Sequence, residues 1–167
     1  MNFSYLPIIA LVSWLAGSYY LGYIPPIIFL IIIVASLLTF LIYAKDKKAA
    51  KNNKWRTPES TLHLCSLFCG WPGAIIAQQK LRHKSKKMNF RVVFVLTVLI
   101  NIAAISALHT NNGSQILRNS TSELGRLISQ NVTNQRINGT VLFLFSYREM
   151  KFNPWGNPEF YIRKSKK

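Results

Sequence analysis

Residues 3–44 contain no Asp, Glu, Lys or Arg. A bilayer-spanning helix needs only about 20 consecutive apolar residues, so this run is long enough for two. In water it would demand cover from a chain of only 167 residues, whereas lipid covers it without help. The turn between the two spans is written as Gly22-Tyr23-Ile24-Pro25-Pro26. Paired prolines remove two backbone donors and fix φ, ending one helix and opening the next. Spans are expected at residues 4–22 and 26–44. A secretory signal peptide fits the first poorly, because a positive n-region is missing and the apolar stretch runs on too far. A third span is expected at 90–108, "FRVVFVLTVLINIAAISAL", where Asn101 is the one strongly polar interior residue. An intramembrane Asn ordinarily hydrogen-bonds a neighbouring helix.

The formal charge is +16, and its placement says more than its sum. Lys45, Lys47, Lys48, Lys51, Lys54 and Arg56 follow the second span, and Lys80, Arg82, Lys84, Lys86, Lys87 and Arg91 precede the third. The positive-inside rule puts both clusters in the cytoplasm, with the Pro25-Pro26 turn and the residues beyond 109 outside. Beyond setting topology, such clusters can bind acidic lipid headgroups or nucleic acid phosphates. The candidate anion-binding residues are Lys47, Lys48, Arg56, Arg82, Lys84 and Lys87.

Between the clusters lies "PESTLHLCSLFCGWPGAIIAQQ", residues 58–79. It is long enough to cross once, but a crossing would put the second cluster outside and Gly70, Pro72 and Gly73 at mid-membrane. Backbone groups freed there cost several kcal/mol (roughly) unless protein or water satisfies them. A helical hairpin, re-entrant or interfacial, avoids both problems. Thr57 is expected as N-cap, with Pro58 at the first helical position and Glu59 at the positive end of the dipole. Gly70 is expected at φ > 0 as C-cap, and Pro72-Gly73 as the start of the second limb. Cys65 and Cys69 read as small apolar packing residues, since they lack the further ligands of a zinc site. The fold class is therefore an all-α membrane protein: three transmembrane helices, this hairpin, and a small polar C-terminal tail.

Beyond His109 the composition turns to Asn, Ser, Thr, Gly and Gln, which divides the chain into a membrane domain, 1–109, and a polar tail, 110–167, expected to be partly ordered at most because it is too short to build a core alone. Ile116, Leu117, Leu124, Leu127 and Ile128 recur at helical spacing and suggest an amphipathic helix. "TVLFLFSY" reads as strand-like, and "NPWGNPEFYIRK" as turn residues flanked by aromatics, together compatible with a small hairpin or a surface-adsorbed segment. Four Asn-x-Ser/Thr sequons begin at Asn112, Asn119, Asn131 and Asn138, as readily arises in so polar a segment.

Few acids are present to do acid/base chemistry. Glu59 and His63 share a helix face at i,i+4, and Asp46 lies just past the second span. His83 approaches them if the segment folds back. These four are the weak candidates for a hydrolytic or metal site. The plainer reading has both carboxylates neutralising nearby Lys and Arg, Glu59 at its helix start, and His63 bonded within the bundle. No metal-ligand set, cofactor motif or phosphate-binding Gly-rich loop is visible.

"YAKDKKAAKNNKWRTPESTLHL" followed by "GWPGAIIAQQKLRHKSKKMNF" resembles an uncharacterised family of small bacterial integral membrane proteins, whose domain stands alone or follows a cold-shock domain. The matching positions include Tyr43, Asp46, Lys47, Trp55, Arg56, Pro58, Glu59, His63, Gly70, Gly73, Arg82, His83, Lys84, Lys87 and Phe90, within residues 26–108. Cys69 departs from the pattern, standing where the family usually has a second Gly. The resemblance implies a multi-pass protein of the bacterial inner membrane and brings no reaction with it. The expected function is a membrane module whose basic cytoplasmic face binds an anionic partner: membrane lipids through their acidic headgroups, nucleic acid, or an acidic protein. The alternative is a membrane enzyme acting on a lipid or isoprenoid phosphate. Transport by a monomer is disfavoured, because Asn101 and scattered Ser and Thr offer no polar path.

Overall fold

A computed structural model describes residues 5–81, 88–152 and 158–161. Its elements are α1 (Leu6–Tyr20), α2 (Ile27–Lys51), α3 (Glu59–Cys65), a wide turn (Ser66–Gly70), α4 (Trp71–Leu81), α5 (Met88–Ala107), α6 (Asn111–Asn131), α7 (Gln135–Leu144) and a short antiparallel pair, β1 (Glu149–Phe152) and β2 (Pro158–Tyr161). The chain divides into two compact units, one of Met1–Ala10 with Phe29–Ser106, the other of Leu11–Ile28 with Ala107–Lys167.

Among the described residues three stretches are long and apolar enough to cross a membrane: Ile27–Lys51, Glu59–Leu81 and Met88–Ala107. The protein is an all-helical membrane protein in its apolar part, but the three stretches are not the three expected. Helix α1, expected as a span at 4–22, is an apolar helix of 15 residues. It stops because Gly22 takes φ of +74° while the Tyr23 and Gly22 amides donate back to the Ser18 and Tyr19 carbonyls, a glycine-terminated helix end. Helix α2 runs past its expected end at 44 to Lys51, since Lys and Ala sustain a helix as well as the apolar residues before them.

In the first unit, α2 and α5 turn most of their apolar side chains outward. Only 11% of the apolar stretch of α2 and 28% of that of α5 are buried, against 50% for the stretch within Glu59–Leu81. Leu30, Ile31, Ile33, Leu37, Leu38 and Leu41 of α2 are exposed, which suits lipid and not water. The face they leave inward carries Thr39, Tyr43 and Asp46, all buried. Helix α4 is the enclosed one: Trp71, Pro72, Gly73, Ala74, Ile75, Ala77 and Gln78 are all buried.

The contacts of 57–81 with α2 set its course. The Thr57 amide donates to Asp46 Oδ1 at 3.0 Å. Cys65 and Gly70 both lie at Thr39, and Gly73 lies against the Ser36 backbone. Lys47 then donates to the carbonyl of Leu81, the last residue of α4. Both ends of the segment therefore meet α2 at adjacent residues, while its middle meets α2 about 16 Å away at ~1.5 Å per residue.

The local chemistry at the break differs from expectation. Cys69, not Gly70, takes the left-handed conformation, with φ of 60°. Gly70 is committed elsewhere: a Cβ there would sit 2.0 Å from Thr39 Oγ1 and 2.4 Å from the Cys65 carbonyl oxygen. The expected Thr57 cap is also absent. Pro58 occupies the N-cap without a side-chain bond, and what Thr57 contributes is its backbone amide, donated to Asp46.

The second unit is built around α6. Thr110 caps it by accepting from the Gly113 amide, and Thr121 and Gly125 are its buried face. A Cβ on Gly125 would meet the Phe145 side chain at 2.9 Å, and Thr121 Oγ1 lies 2.9 Å from the Tyr147 hydroxyl. Burial pushes the Tyr147 hydroxyl above its ordinary pKa, against the opposing effects of the Thr121 bond and the Arg118 charge. The apolar residues read as an amphipathic helix fall on α6 as expected. "TVLFLFSY" does not form a strand: Asn134 caps a helix at the Arg136 amide, and Thr140 to Leu144 continue it as α7. The strand pair comes later, with Glu149 opposite Tyr161. His109 sits among Trp14, Ser18 and Tyr23, its Nε2 2.7 Å from Ser18 Oγ.

Candidate functional site

The polar interior of the first unit is concentrated where 57–81 joins α2. Successive turns of α2 supply Thr39, Tyr43 and Asp46, spaced so that one helix face carries all three. Opposite them the broken segment supplies Ser66 and Gln78. Tyr43, Asp46 and Ser66 are fully buried, and Gln78 is 2% exposed. The Tyr43 hydroxyl faces both the Ser66 hydroxyl and the Gln78 amide without closing full hydrogen-bond geometry to either. Ser66 instead donates to the Leu62 carbonyl at 2.9 Å. The Tyr43 ring meets Phe90 of α5 edge-on at 6.4 Å, and the His63 ring lies 4.3 Å from the same Phe90.

Asp46, a candidate acid, is held in place by its surroundings. Its Oδ1 accepts the Thr57 amide, and the Arg56 guanidinium lies 3.9 Å away, with half of the Arg56 side chain exposed. This ties the end of α2 to the chain entering α3. Glu59 stands in the first turn of α3, half-buried, where a carboxylate favours the positive end of the helix. His63 packs on Phe90. Among the described residues no three of His, Cys, Asp and Glu gather as a metal ion would require. His83, the fourth candidate, lies outside the described residues, as do Arg82, Lys84 and Lys87 of the anion-binding set.

The remaining basic candidates divide by role. Lys47 neutralises the negative end of α4 through the Leu81 carbonyl. Arg56 faces Asp46. Lys48 is exposed, as are Lys45, Lys51, Lys54 and the neighbouring Trp55, which is 93% exposed. Cys65 and Cys69 are free and half-buried in the broken segment.

Asn101 serves as the interhelical bond its place in α5 led us to expect. Its amide donates to the Leu67 carbonyl at 2.9 Å and to the Thr97 carbonyl of its own helix at 2.8 Å. Sequence reasoning did not select Ser66, Gln78 or Thr39. The available signal was their polarity inside apolar runs, with Tyr43 and Asp46 one turn apart.

Residues 36–90 match a family described as protein of unknown function (DUF1294). The chain is also 29% identical over 75 residues to a protein of Bacillus subtilis (strain 168) described as "Uncharacterized protein YsdA", covering 45% of this chain and 84% of that relative. No solved structure matches the chain. The resemblance to an uncharacterised bacterial family therefore holds, and its bounds are informative. The match opens at Ser36, which Gly73 touches, and closes at Phe90, which Tyr43 and His63 touch.

Proposed function

We propose that this is a bacterial inner-membrane protein whose segment 57–81 enters the bilayer from the cytoplasmic side and returns to it, presenting a basic face to acidic lipid headgroups. The observation that carries the reading is the attachment of both ends of the segment to adjacent residues of α2, Thr57 at Asp46 and Leu81 at Lys47. A single crossing would leave its two ends on opposite sides of the membrane. Re-entry leaves the basic residues at 45–56 and at 80–91 on one side, as the positive-inside rule demands.

Lipid is favoured over nucleic acid or an acidic protein by what surrounds the free lysines. Lys45, Lys48, Lys51 and Lys54 are exposed where α2 leaves its apolar stretch, and fully exposed Trp55 stands beside them. Trp belongs at the headgroup level, and each nearby Lys or Arg gains about 1 kcal/mol from an anionic surface.

Two measurements test this. In a background without the native cysteines, Ser85→Cys should resist an impermeant thiol reagent in intact cells, whereas labelling as fast as an external control would refute re-entry. Purified protein should retain phosphatidylglycerol in preference to phosphatidylcholine. Changing Lys48, Lys51, Lys54, Lys84, Lys86 and Lys87 to Gln, or raising salt, should abolish that preference. Equal retention by folded wild type and variant would reduce the clusters to topology signals, and retention of RNA in place of lipid would replace the lipid reading.

A further inference from the structure

Helix α6 separates its residues sharply. Ile116, Leu117, Leu124, Leu127 and Ile128 fall within an arc of roughly 120° at ~3.6 residues per turn. Thr121 and Gly125, on the adjoining arc, are the part packed against Phe145 and Tyr147. The apolar arc itself is left outward: Ile116 is 67% exposed, and Leu124, Leu127 and Ile128 are exposed too.

The position of α6 follows from two attachments within its own unit. At its start, Thr110 donates to the carbonyl of Ala107, the last residue of α5, and a Cβ on Gly113 would lie 2.1 Å from that same oxygen. Less than two turns later, Arg118 donates at 2.9 Å to the Gly22 carbonyl in the turn that precedes α2, while its guanidinium stacks on Tyr147. Ala107 ends one apolar helix and Gly22 stands before another. Where those helices span, both points lie at the bilayer boundary, and a helix pinned to both runs along that boundary.

We infer that α6 is a membrane-surface helix, its Ile116, Leu124, Leu127 and Ile128 seated in the headgroup and acyl boundary of the leaflet into which the Gly22 turn opens. The bilayer is the occupant because its surface continues directly from α5 across only three intervening residues. Such helices combine a segregated apolar face with low overall hydrophobicity. Charge contributes little here. Arg126 and Glu123 pair at 2.7 Å, and Arg118 is engaged with Gly22 and Tyr147. The contact is therefore apolar in origin and indifferent to salt, unlike the lysine-rich face. The inference rests only on α2 and α5 spanning, and it stands whether or not the segment 57–81 re-enters.

The full chain, reconstituted in phosphatidylcholine vesicles, supplies the test. With the native cysteines replaced, single variants Leu124→Cys, Leu127→Cys and Ser122→Cys are labelled with an environment-sensitive fluorophore. All three positions are exposed, so labelling need not disturb packing. Labels at 124 and 127 should be quenched several-fold more by brominated lipid than the label at 122, and equally at low and high salt. Equal quenching at all three positions would overturn the inference. Lipid-insensitive labels at 124 and 127 accompanied by cross-linking between copies would overturn it in favour of a dimer face.

Discussion

Gly73 is the place where the structure makes its most exposed quantitative claim. A Cβ built there falls 1.8 Å from the Ser36 carbonyl oxygen, 2.5 Å from its carbon and 2.7 Å from the Ser36 Cα. All three are backbone atoms of α2, so no side chain can rotate out of the way. Restoring ordinary contact requires α4 and α2 to part by more than 1 Å (roughly), and a gap of that size forfeits about half or more of each dispersion contact it opens. In lipid, packing of this kind is what holds helices together, because the hydrophobic effect adds little between them. Gly73→Ala should therefore cost about 1–3 kcal/mol, the usual range for a forced methyl. The control is Gly17→Ala, where a Cβ meets nothing within 4 Å. There the change should be neutral or raise stability by up to ~1 kcal/mol, since Gly is a poor helix residue. Both variants, fused to a fluorescent reporter and heated in mild detergent, are compared by the temperature at which the monodisperse peak is lost. At about 2–4 °C per kcal/mol for a chain of this size, the two should separate by several degrees. A Gly73→Ala protein that melts with wild type, or above it as Gly17→Ala does, would show that α4 does not rest on the α2 backbone.

Cys69 occupies φ of 60°, a conformation that costs an L-residue ~1 kcal/mol relative to Gly, so Cys69→Gly should hold or raise the melting temperature, and a clear fall would contradict the assigned backbone. Asp46→Ala removes the acceptor of the Thr57 amide and the partner of Arg56. It should cost about 1–3 kcal/mol, most of which Asp46→Asn should recover because it keeps the oxygen; equal losses in the two would mean that the charge matters more than the bond. Asn101→Leu uncovers the Leu67 carbonyl. A loss of about 0.6–2 kcal/mol in the same melting assay is expected, and no loss would mean that the carbonyl has another partner.

What was legible in the sequence was whatever depends on the run and period of apolar residues. The uncharged stretch gave α2 and the apolar body of α1, and the spacing of Ile116, Leu117, Leu124, Leu127 and Ile128 gave α6. The misreadings share a cause, competition between two uses of one residue. Gly70 was assigned φ > 0 because glycine reaches it most easily, but the approach of Thr39 makes the missing side chain itself the requirement, and the left-handed turn falls on Cys69. Thr57 is a good cap by type, yet α3 opens one residue later at Pro58, where the Thr57 amide is fixed by Asp46, a residue on another helix whose proximity depends on how the loop between them closes. Val141 to Phe145 have strand-forming side chains, and a cap at Asn134 and packing on α6 outweigh that preference. The Tyr43, Ser66 and Gln78 grouping was illegible for a further reason: each comes from a different element, and a polar residue in an apolar run does not announce its partner.

The break in 57–81 shows what such a feature requires at membrane depth. Interrupting a helix frees carbonyls that lipid cannot satisfy, and here side chains of α2, of α5 and of the segment itself reach carbonyls along it. Leu62 receives the Ser66 hydroxyl, Leu67 receives Asn101, Leu81 receives Lys47, and Cys65 receives Thr39 at a long 3.5 Å. Three of the four donors, Thr39, Lys47 and Ser66, lie inside the family-matched stretch of 36–90, and Asn101 lies beyond it. The matched stretch thus carries the break, the glycines that seat it on α2 and most of its carbonyl donors, while the last donor comes from a part of α5 outside the match.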